Sequence, residues 1–396
     1  MTEARDRVIL EARRSPLGSF LGSLAPLSAP EILAPVLRAL AESTPGIGAH
    51  VDEALVGCVL PAGVGQAPAR QAVLQAGLPE STGATTINKV CGSGMKSLML
   101  ADALLASGQA RIVMAGGMES MSRAPYLLAQ ARSGQRMGHG TLIDHMLHDG
   151  LENAADHQVM GAFAELCADH YGLGRARQDA FAIRSVERAR AAQAAGAFDR
   201  EIVPLTVPAR KAPVEVAVDE GPGRIDLDRI GTLKPAFRPE GTVTAASSSS
   251  ISDGAAALLL TTAGEADRRG IPPLARLVAS ASHAQAPEWF TTAPIGAIRA
   301  LLEKTGWPLA SVDLFEINEA FAVVTLAAIQ ELGLSPDRVN VHGGACALGH
   351  PIGASGARLV VTLLHALIRH GGRRGIASLC IGGGEATAVA IERLDA

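Results

Sequence analysis

One local pattern occurs twice in this chain and restricts its fold more than any other feature. A strand-like run, ATTINKV (84–90), leads into the turn Cys91-Gly92-Ser93-Gly94, and an Ala/Leu/Met-rich helix at about 95–107 follows. Then come the apolar strand RIVMAGG (111–117) and Gly-Gly-Met-Glu (116–119). Near the other end, the Gly-rich turn HGGACALGHPIGASG (342–356) opens a helix expected at about 357–370. The strand GIASLCI (375–381) and Gly-Gly-Gly-Glu (382–385) follow. Both copies read Gly-rich turn, helix, apolar strand, Gly-Gly-x-Glu, which suggests an internal duplication. Short apolar strands alternating with helices imply α/β layering.

The remaining pattern fills in two halves and an interruption. RVILEAR (7–13) and DEALVGCVL (52–60) read as buried strands, and 30–42 and 65–79 read as helices. From about 120 to 250 the alternation fails. That stretch is richer in Arg, His, Asp and Pro, with one helix expected at 175–195 and a Pro-rich irregular part at 203–240. ISDGAAALLLTT (251–262) resumes the apolar strand pattern. The expected organisation is an N-terminal half, 1–120, completed by 251–272, an inserted lobe, 121–250, and a C-terminal half, 273–396.

Composition excludes several classes. With 48% hydrophobic and 19% charged residues the chain is globular. Only 3% is aromatic while 43 residues are Gly, so the core must be aliphatic with close backbone approaches. A net charge of −4 gives no basic footprint for nucleic acid. No run of 18 apolar residues free of charge predicts a membrane span. MTEARDRVIL is too charged for a secretory leader, and ERLDA matches no address signal. The five cysteines (58, 91, 167, 346, 380) are odd in number and widely spaced, which points to a reducing, cytoplasmic compartment rather than a disulfide framework.

Against that background a few residues stand in special settings. Cys91 sits where a strand ends and a helix begins, with Gly92 and Gly94 expected to permit an unusual turn. A helix N-terminus favours a thiolate, and its free N–H groups can stabilise an oxyanion. A structural, buried thiol is the commoner fate of a free Cys. His350 is held by Pro351 and Gly349, Gly353 and Gly356, which suits proton transfer or hydrogen-bond donation. Cys380 ends an apolar strand before a triple glycine and is a second acid/base candidate. Cys346 stands four residues before His350, but no second ligand pair has metal spacing, so no metal is expected. Asn318, between Glu316 and Glu319, reads either as a helix cap or as a group that positions water or substrate. Two Cys and one His in Gly-rich turns on two similar halves suggest covalent acyl chemistry.

At this point the chain resembles the thiolase family over almost its whole length. The resemblance rests on Asn-Lys-Val-Cys-Gly-Ser-Gly-Met-Lys (88–96), Gly-Gly-Met-Glu-Ser-Met-Ser (116–122), Gly-Thr-Val-Thr-Ala (241–245), Asn-Glu-Ala-Phe-Ala (318–322), Gly-His-Pro-Ile-Gly-Ala-Ser-Gly-Ala-Arg (349–358) and Cys-Ile-Gly-Gly-Gly (380–384). It implies two similar α/β halves in five layers, α-β-α-β-α, with an inserted loop domain that carries coenzyme A contacts. It also implies a homodimer or homotetramer. By resemblance Cys91 is the acyl-accepting nucleophile, His350 the base that activates it, and Cys380 the acid/base at the α-carbon of the second substrate. Asn318 resembles the holder of a water that, with His350, forms one oxyanion hole, and the N–H groups of Cys91 and Gly382 resemble the other. Ser249, Phe237, Phe321 and Met160 match coenzyme A and pantetheine contacts, and Arg224 is the nearest candidate for a phosphate contact. The chain departs from the pattern at Ala246-Ser247-Ser248-Ser249-Ser250, where many acetoacetyl-CoA thiolases read Gly-Asn-Ala-Ser-Gly, and at Val159, where many have His. The implied activity is condensation of two acetyl-CoA to acetoacetyl-CoA and CoA, and its reverse, in fatty acid metabolism, with no cofactor besides the CoA thioesters. Alternatives are a thiolase for longer or functionalised 3-oxoacyl-CoA and a non-catalytic acyl-CoA binding protein. A decarboxylating ketosynthase is disfavoured, because such enzymes resemble this fold but place His at the position of Cys380.

Overall fold

The computed structural model describes residues 3–394. In chain order its main elements begin with β1 (Arg7–Arg14), α1 (Ala29–Glu42), β2 (Glu53–Gly57), α2 (Pro68–Gln75), β3 (Gly83–Ile87), α3 (Ser93–Ala106) and β4 (Ile112–Ser120). The excursion contributes α4 (Met160–Tyr171) and α5 (Arg175–Ala194). The chain then forms β5 (Ser252–Thr262), β6 (Ala275–Ala284), α6 (Ala293–Thr305), β7 (Leu314–Ile317), α7 (Ala322–Leu332), α8 (Ile352–His370), β8 (Arg374–Ile381) and β9 (Glu385–Arg393).

The strands run in the order β7-β8-β9-β6-β1-β5-β4-β2-β3, with the short strand Gly18–Ser19 added to β5. The duplication is visible in the pairing. In the first half β2 and β4 are parallel, and β4–β5 and β5–β1 are antiparallel. In the second, β7 and β8 are parallel, and β8–β9 and β9–β6 are antiparallel. The halves meet where Arg7, Val8 and Ile9 pair with Leu277, Arg276 and Ala275.

Strand alternation builds the layers. On β5, Ala255, Ala257 and Leu259 face the cluster formed with α1 and α2. Ala256, Leu258 and Leu260 face the opposite cluster, formed with α3 and α8. On β9, Val389 and Ile391 face that same central cluster, while Ala386, Ala388 and Ala390 face α6 and α7. With a side-chain period of two, each half-sheet buries both faces. The result is α1/α2, sheet, α3/α8, sheet, α6/α7, the five-layer thiolase arrangement.

The central helix α8 begins at Ile352, five residues before the expected start at 357. Gly in a helix interior costs about 1 kcal/mol against Ala, so Gly353 and Gly356 read as turn. Tertiary contact overrides that preference. A Cβ on Gly353 would stand 2.7 Å from the Met118 carbonyl, and one on Gly356 would stand 2.3 Å from the Met95 nitrogen. The helix has mean hydropathy 1.3 over 18 residues and is long enough to cross a membrane, although Ser355, Arg358, Thr362 and His365 form a polar stripe along it. It is instead almost wholly buried between the half-sheets, as expected of a core helix. In the excursion α5 falls where expected, α4 was not anticipated, and the irregular part contains the short paired strands Leu205–Val207 and Val214–Val216. Buried Arg14 of β1 ties this region down, through Glu201 at 2.5 Å and both Asp219 oxygens at 2.7 and 2.9 Å.

Gly57, at the end of β2, lies where α3 and α8 converge. An added Cβ would meet the Gly353 carbonyl, the Gly94 nitrogen and the Ser93 carbonyl carbon, each at 2.7 Å. All three are backbone atoms and cannot rotate away. Gly57→Ala is expected to destabilise by about 1–3 kcal/mol, read as a lower urea midpoint. Gly231→Ala, with nothing within 4 Å of its Cβ, should leave the midpoint unchanged.

Candidate active site

The turn between β3 and α3 carries Cys91. Its unusual backbone falls on Val90, at φ +46°, and not on the two glycines as expected. Gly92 is right-handed at φ −80°, and Gly94 lies inside α3. A β-branched residue in the left-handed region costs on the order of 1–3 kcal/mol. The turn is held by Asn88 Oδ1, which accepts from the Val90 N–H at 2.9 Å, and by Ser93 Oγ, which donates to the Val90 carbonyl at 2.6 Å. The glycines answer to space instead. A Cβ on Gly92 would sit 2.3 Å from Ile381, and one on Gly94 would sit 2.9 Å from the Gly353 carbonyl.

His350 lies two residues before α8. Its Nδ1 is 2.5 Å from Ser355 Oγ, and that hydroxyl donates to the Pro351 carbonyl at 2.9 Å. A hydroxyl has one proton, so Ser355 accepts from Nδ1–H, and Nε2 is left with its lone pair. Nε2 stands 3.4 Å from Asn318 Nδ2, a long contact. Asn318 Oδ1 in turn faces Arg358 Nη2 at 3.5 Å, and Arg358 Nη1 faces Glu316 at 3.5 Å. Asn318 therefore faces the imidazole and does not cap α7, whose cap residue is Phe321. Burial, reinforced by the Arg358 charge, pushes the His350 imidazole down to about 3. His350 is a neutral imidazole throughout the ordinary pH range.

Cys91, Cys380, His350 and Gly382 line one cavity of about 280 Å³. Cys380, at the end of β8, is buried, and burial followed by the neighbouring Cys91 pushes its thiol well above the usual range. The Cys91 sulfur is also pushed up, to about 11. Burial is the largest cause; the N–H groups of Gly382 and Cys91 oppose it, and Glu119 adds to it. The sequence places this thiol at a helix N-terminus, which favours a thiolate. In the apolar cavity desolvation outweighs that effect, so the resting sulfur is protonated and needs a base.

Phe237, Phe321, Met160 and Ser249 line the same cavity. The two Phe rings meet edge-on, 5.8 Å apart at 80°. Phe290, on a short turn ahead of α6, also lines it and was not anticipated. Arg224 does not join them. It lines an adjoining surface groove that shares Ser248 and Ser250 with the cavity, and it pairs with Glu220 at 2.8 Å. Cys346 faces Glu319, whose carbonyl is 3.7 Å from its sulfur, and is a structural thiol. Ser355 and Arg358 were also missed. The one available signal for Ser355 was its spacing five residues after His350 in a single motif.

Both Gly-Gly-x-Glu motifs serve the site across the central layer. Glu119 accepts from the N–H groups of Val59 at 3.0 Å, Leu60 at 3.1 Å and Gly353 at 2.9 Å, which anchors the start of α8 near His350. Glu385 pairs with Lys89, two residues before Cys91. Each half thus braces the reactive turn of the other.

Comparison with known proteins agrees with this geometry. The family model for the thiolase N-terminal domain matches residues 7–264, and that for the C-terminal domain matches 271–393. The chain is 49% identical to an acetyl-CoA acetyltransferase of Pseudomonas aeruginosa, covering 98% of this chain and 100% of that protein. It is 48% identical to an acetyl-CoA acetyltransferase of Escherichia coli, covering 98% and 99%. Among solved structures, the Bacillus anthracis acetyl-CoA acetyltransferase superposes with a TM-score of 0.96 at 40% identity, covering both chains fully. A thiolase of Ascaris suum in complex with coenzyme A superposes with a TM-score of 0.93 at 41% identity, covering 98% of this chain and 100% of that one. With both family models matched in order and every layer of the fold in place, this chain belongs to the thiolase family.

Proposed function

We propose that this enzyme condenses two acetyl-CoA molecules into acetoacetyl-CoA and CoA, and catalyses the reverse thiolysis, through an acetyl group carried on Cys91. The observation that carries this reading is the convergence of two protonated thiols, a neutral imidazole and the Gly382 N–H on one apolar cavity. Acyl exchange between thioesters requires those parts.

His350 Nε2 takes the Cys91 proton as the sulfur attacks the first thioester. The carbonyl oxygen gathers charge against the N–H groups of Cys91 and Gly382. The departing CoA thiolate takes the proton of Cys380 and leaves as a thiol. Once Cys91 is a thioester it no longer repels charge on Cys380, which removes the second cause of that group's elevated pKa. The Cys380 thiolate, still desolvated, is a strong base for the α-proton of the second acetyl-CoA. The resulting enolate, held by His350 and by a water on Asn318, attacks the acetyl-Cys91 carbonyl. The released Cys91 thiolate recovers its proton from His350.

The acetyl preference is supported by the relatives' names and by the modest cavity, at the small end of ligand sites. Leu147, Leu151, Met160 and Phe237 bring the 121–250 lobe to the cavity wall, which supports a coenzyme A-binding role for it. No cofactor is needed beyond the CoA thioesters. All five cysteines are free, in keeping with a cytoplasmic location. The partly exposed edge strand β3 favours pairing with a second copy in a homodimer or homotetramer.

CoA release measured over a series of acyl-CoA and 3-oxoacyl-CoA lengths should be fastest for acetyl-CoA and acetoacetyl-CoA. Faster turnover of long chains would move the enzyme to the broader 3-oxoacyl-CoA class. Labelled acetyl-CoA should still acetylate Cys380→Ala at Cys91, more slowly because the departing CoA must then recover the proton held on His350, while condensation falls on the order of 10²–10⁴-fold. Cys91→Ala should take no label. Wild-type acetylation followed from pH 7.5 to 5.5 should not decline, because His350 titrates only near 3 and stays base-competent above that value. A base with an ordinary imidazole pKa would lose about ten-fold at pH 5.5, and a loss of that size would overturn the assignment.

A further inference from the structure

The wall of the cavity carries a second cluster on its outer side. Leu147–Leu151 forms a π-helical turn, and Glu152 and Val159 then pair as a one-bridge hairpin. Leu147, Gly150, Leu151 and Val159 face the cavity. His148 and His157 are exposed on this segment, and Glu152 is half-buried. Their ligating atoms all lie within 4.8 Å of one another.

The loop is built to hold these groups together. Asp156 Oδ1 accepts from Asn153 Nδ2 at 2.7 Å and from the Gln158 N–H at 3.1 Å. The His157 N–H donates to the Asn153 carbonyl at 2.8 Å. His157 takes φ +56°, and its ring lies against that of His148, centroids 5.6 Å apart and planes within 17°. Its Nδ1 stands 3.6 Å from Glu152 Oε2. Bringing two imidazoles face to face beside one carboxylate gains little by itself on an exposed surface. The three side chains are, however, a common ligand set for a borderline metal ion.

We propose that His148, Glu152 and His157 bind a divalent ion of the zinc class at the outer wall of the acyl-CoA cavity. Two imidazole nitrogens and a carboxylate oxygen select Zn²⁺, Co²⁺, Ni²⁺ or Cu²⁺ over Mg²⁺ and Ca²⁺. Adjacent ligands on tetrahedral Zn²⁺ stand about 3.3 Å apart, given metal–ligand distances near 2.0–2.1 Å. The Glu152–His157 pair is already close to that spacing, and His148 reaches it by rotating an exposed side chain. Water completes the coordination. The ion lies on the outside of the wall, so it takes no part in acyl transfer. It clamps the π-helical turn to the hairpin and thereby stiffens the wall formed by Leu147, Leu151 and Val159. The His148–Glu152 spacing is i, i+4, but His157 joins only through the hairpin, so the set was not legible as a metal motif.

Full-length enzyme stripped with a chelator and dialysed against low-micromolar Zn²⁺ should take up one equivalent. The double variant His148→Gln/His157→Gln changes two exposed side chains, so folding should be kept, and its uptake should weaken at least ten-fold. Saturating Zn²⁺ should raise the Tm of the wild type and not of the variant. Co²⁺ in the wild type should show visible d–d bands without a sulfur-to-cobalt charge-transfer band. Equal uptake by the wild type and the variant, or uptake accompanied by that charge-transfer band, would assign the metal to the cavity thiols and overturn the proposal. No uptake by either would also overturn it. None of these readouts depends on the acyl substrate, so the catalytic reading and the metal site stand or fall separately.

Discussion

The Gly353 carbonyl, in the first turn of α8, is the point on which the site depends. Gly57 at the end of β2, Gly94 in the first turn of α3 and Gly117 in β4 all approach it so closely that a Cβ would lie at 2.7, 2.9 and 2.0 Å. Cys91 lies three residues before Gly94, and His350 lies three residues before Gly353. Locking those two helix starts together therefore sets the position of one reactive side chain against the other. Interiors are close-packed, so a shift of even one methyl group at this contact must be passed on to the helices that carry the site.

Burial then determines what the reactive groups are at rest. None of the three is charged: Cys91 is raised to about 11, Cys380 is raised well above the usual thiol range, and His350 is lowered to about 3. The ionisable groups behind them are also shifted. Glu119 is raised to about 7 by burial, against three opposing backbone N–H contacts and Cys58. Glu316 is raised to about 8 by burial, with Arg358 opposing. In such a low-dielectric setting, charge created during acyl transfer meets fixed dipoles rather than water, which is how these sites stabilise an enolate. The same setting explains why proton transfers must be paired, since each isolated charge is costly there.

Ser355 and Arg358 act at one remove. Ser355, with its own proton committed to Pro351, accepts from Nδ1 and leaves Nε2 with its lone pair facing Asn318. Arg358 faces both Asn318 and Glu316, and its charge adds to burial in keeping the His350 imidazole neutral. The repeated Gly-Gly-x-Glu motifs play a similar part. One Glu holds the N–H of Gly353 and the other holds Lys89, so each half of the duplicated fold braces the other's reactive loop.

The sequence alone determined the α/β layering, because the apolar strand runs of β1, β5 and β8 and the repeated turn–helix–strand units are local patterns, while the five-layer arrangement entered only through the family resemblance. It also determined which thiols and which histidine stood in glycine-rich turns, through motifs of fixed order. It did not determine the start of α8, since Gly353 and Gly356 read as turn until the backbone they touch is known. Nor did it determine the strain on Val90, α4, or the placement of Arg224 outside the cavity. The charge state of Cys91 was decided by the tertiary structure for the same reason. A helix N-terminus is a local feature that favours a thiolate, whereas desolvation depends on everything folded around the sulfur, and here it is the larger effect.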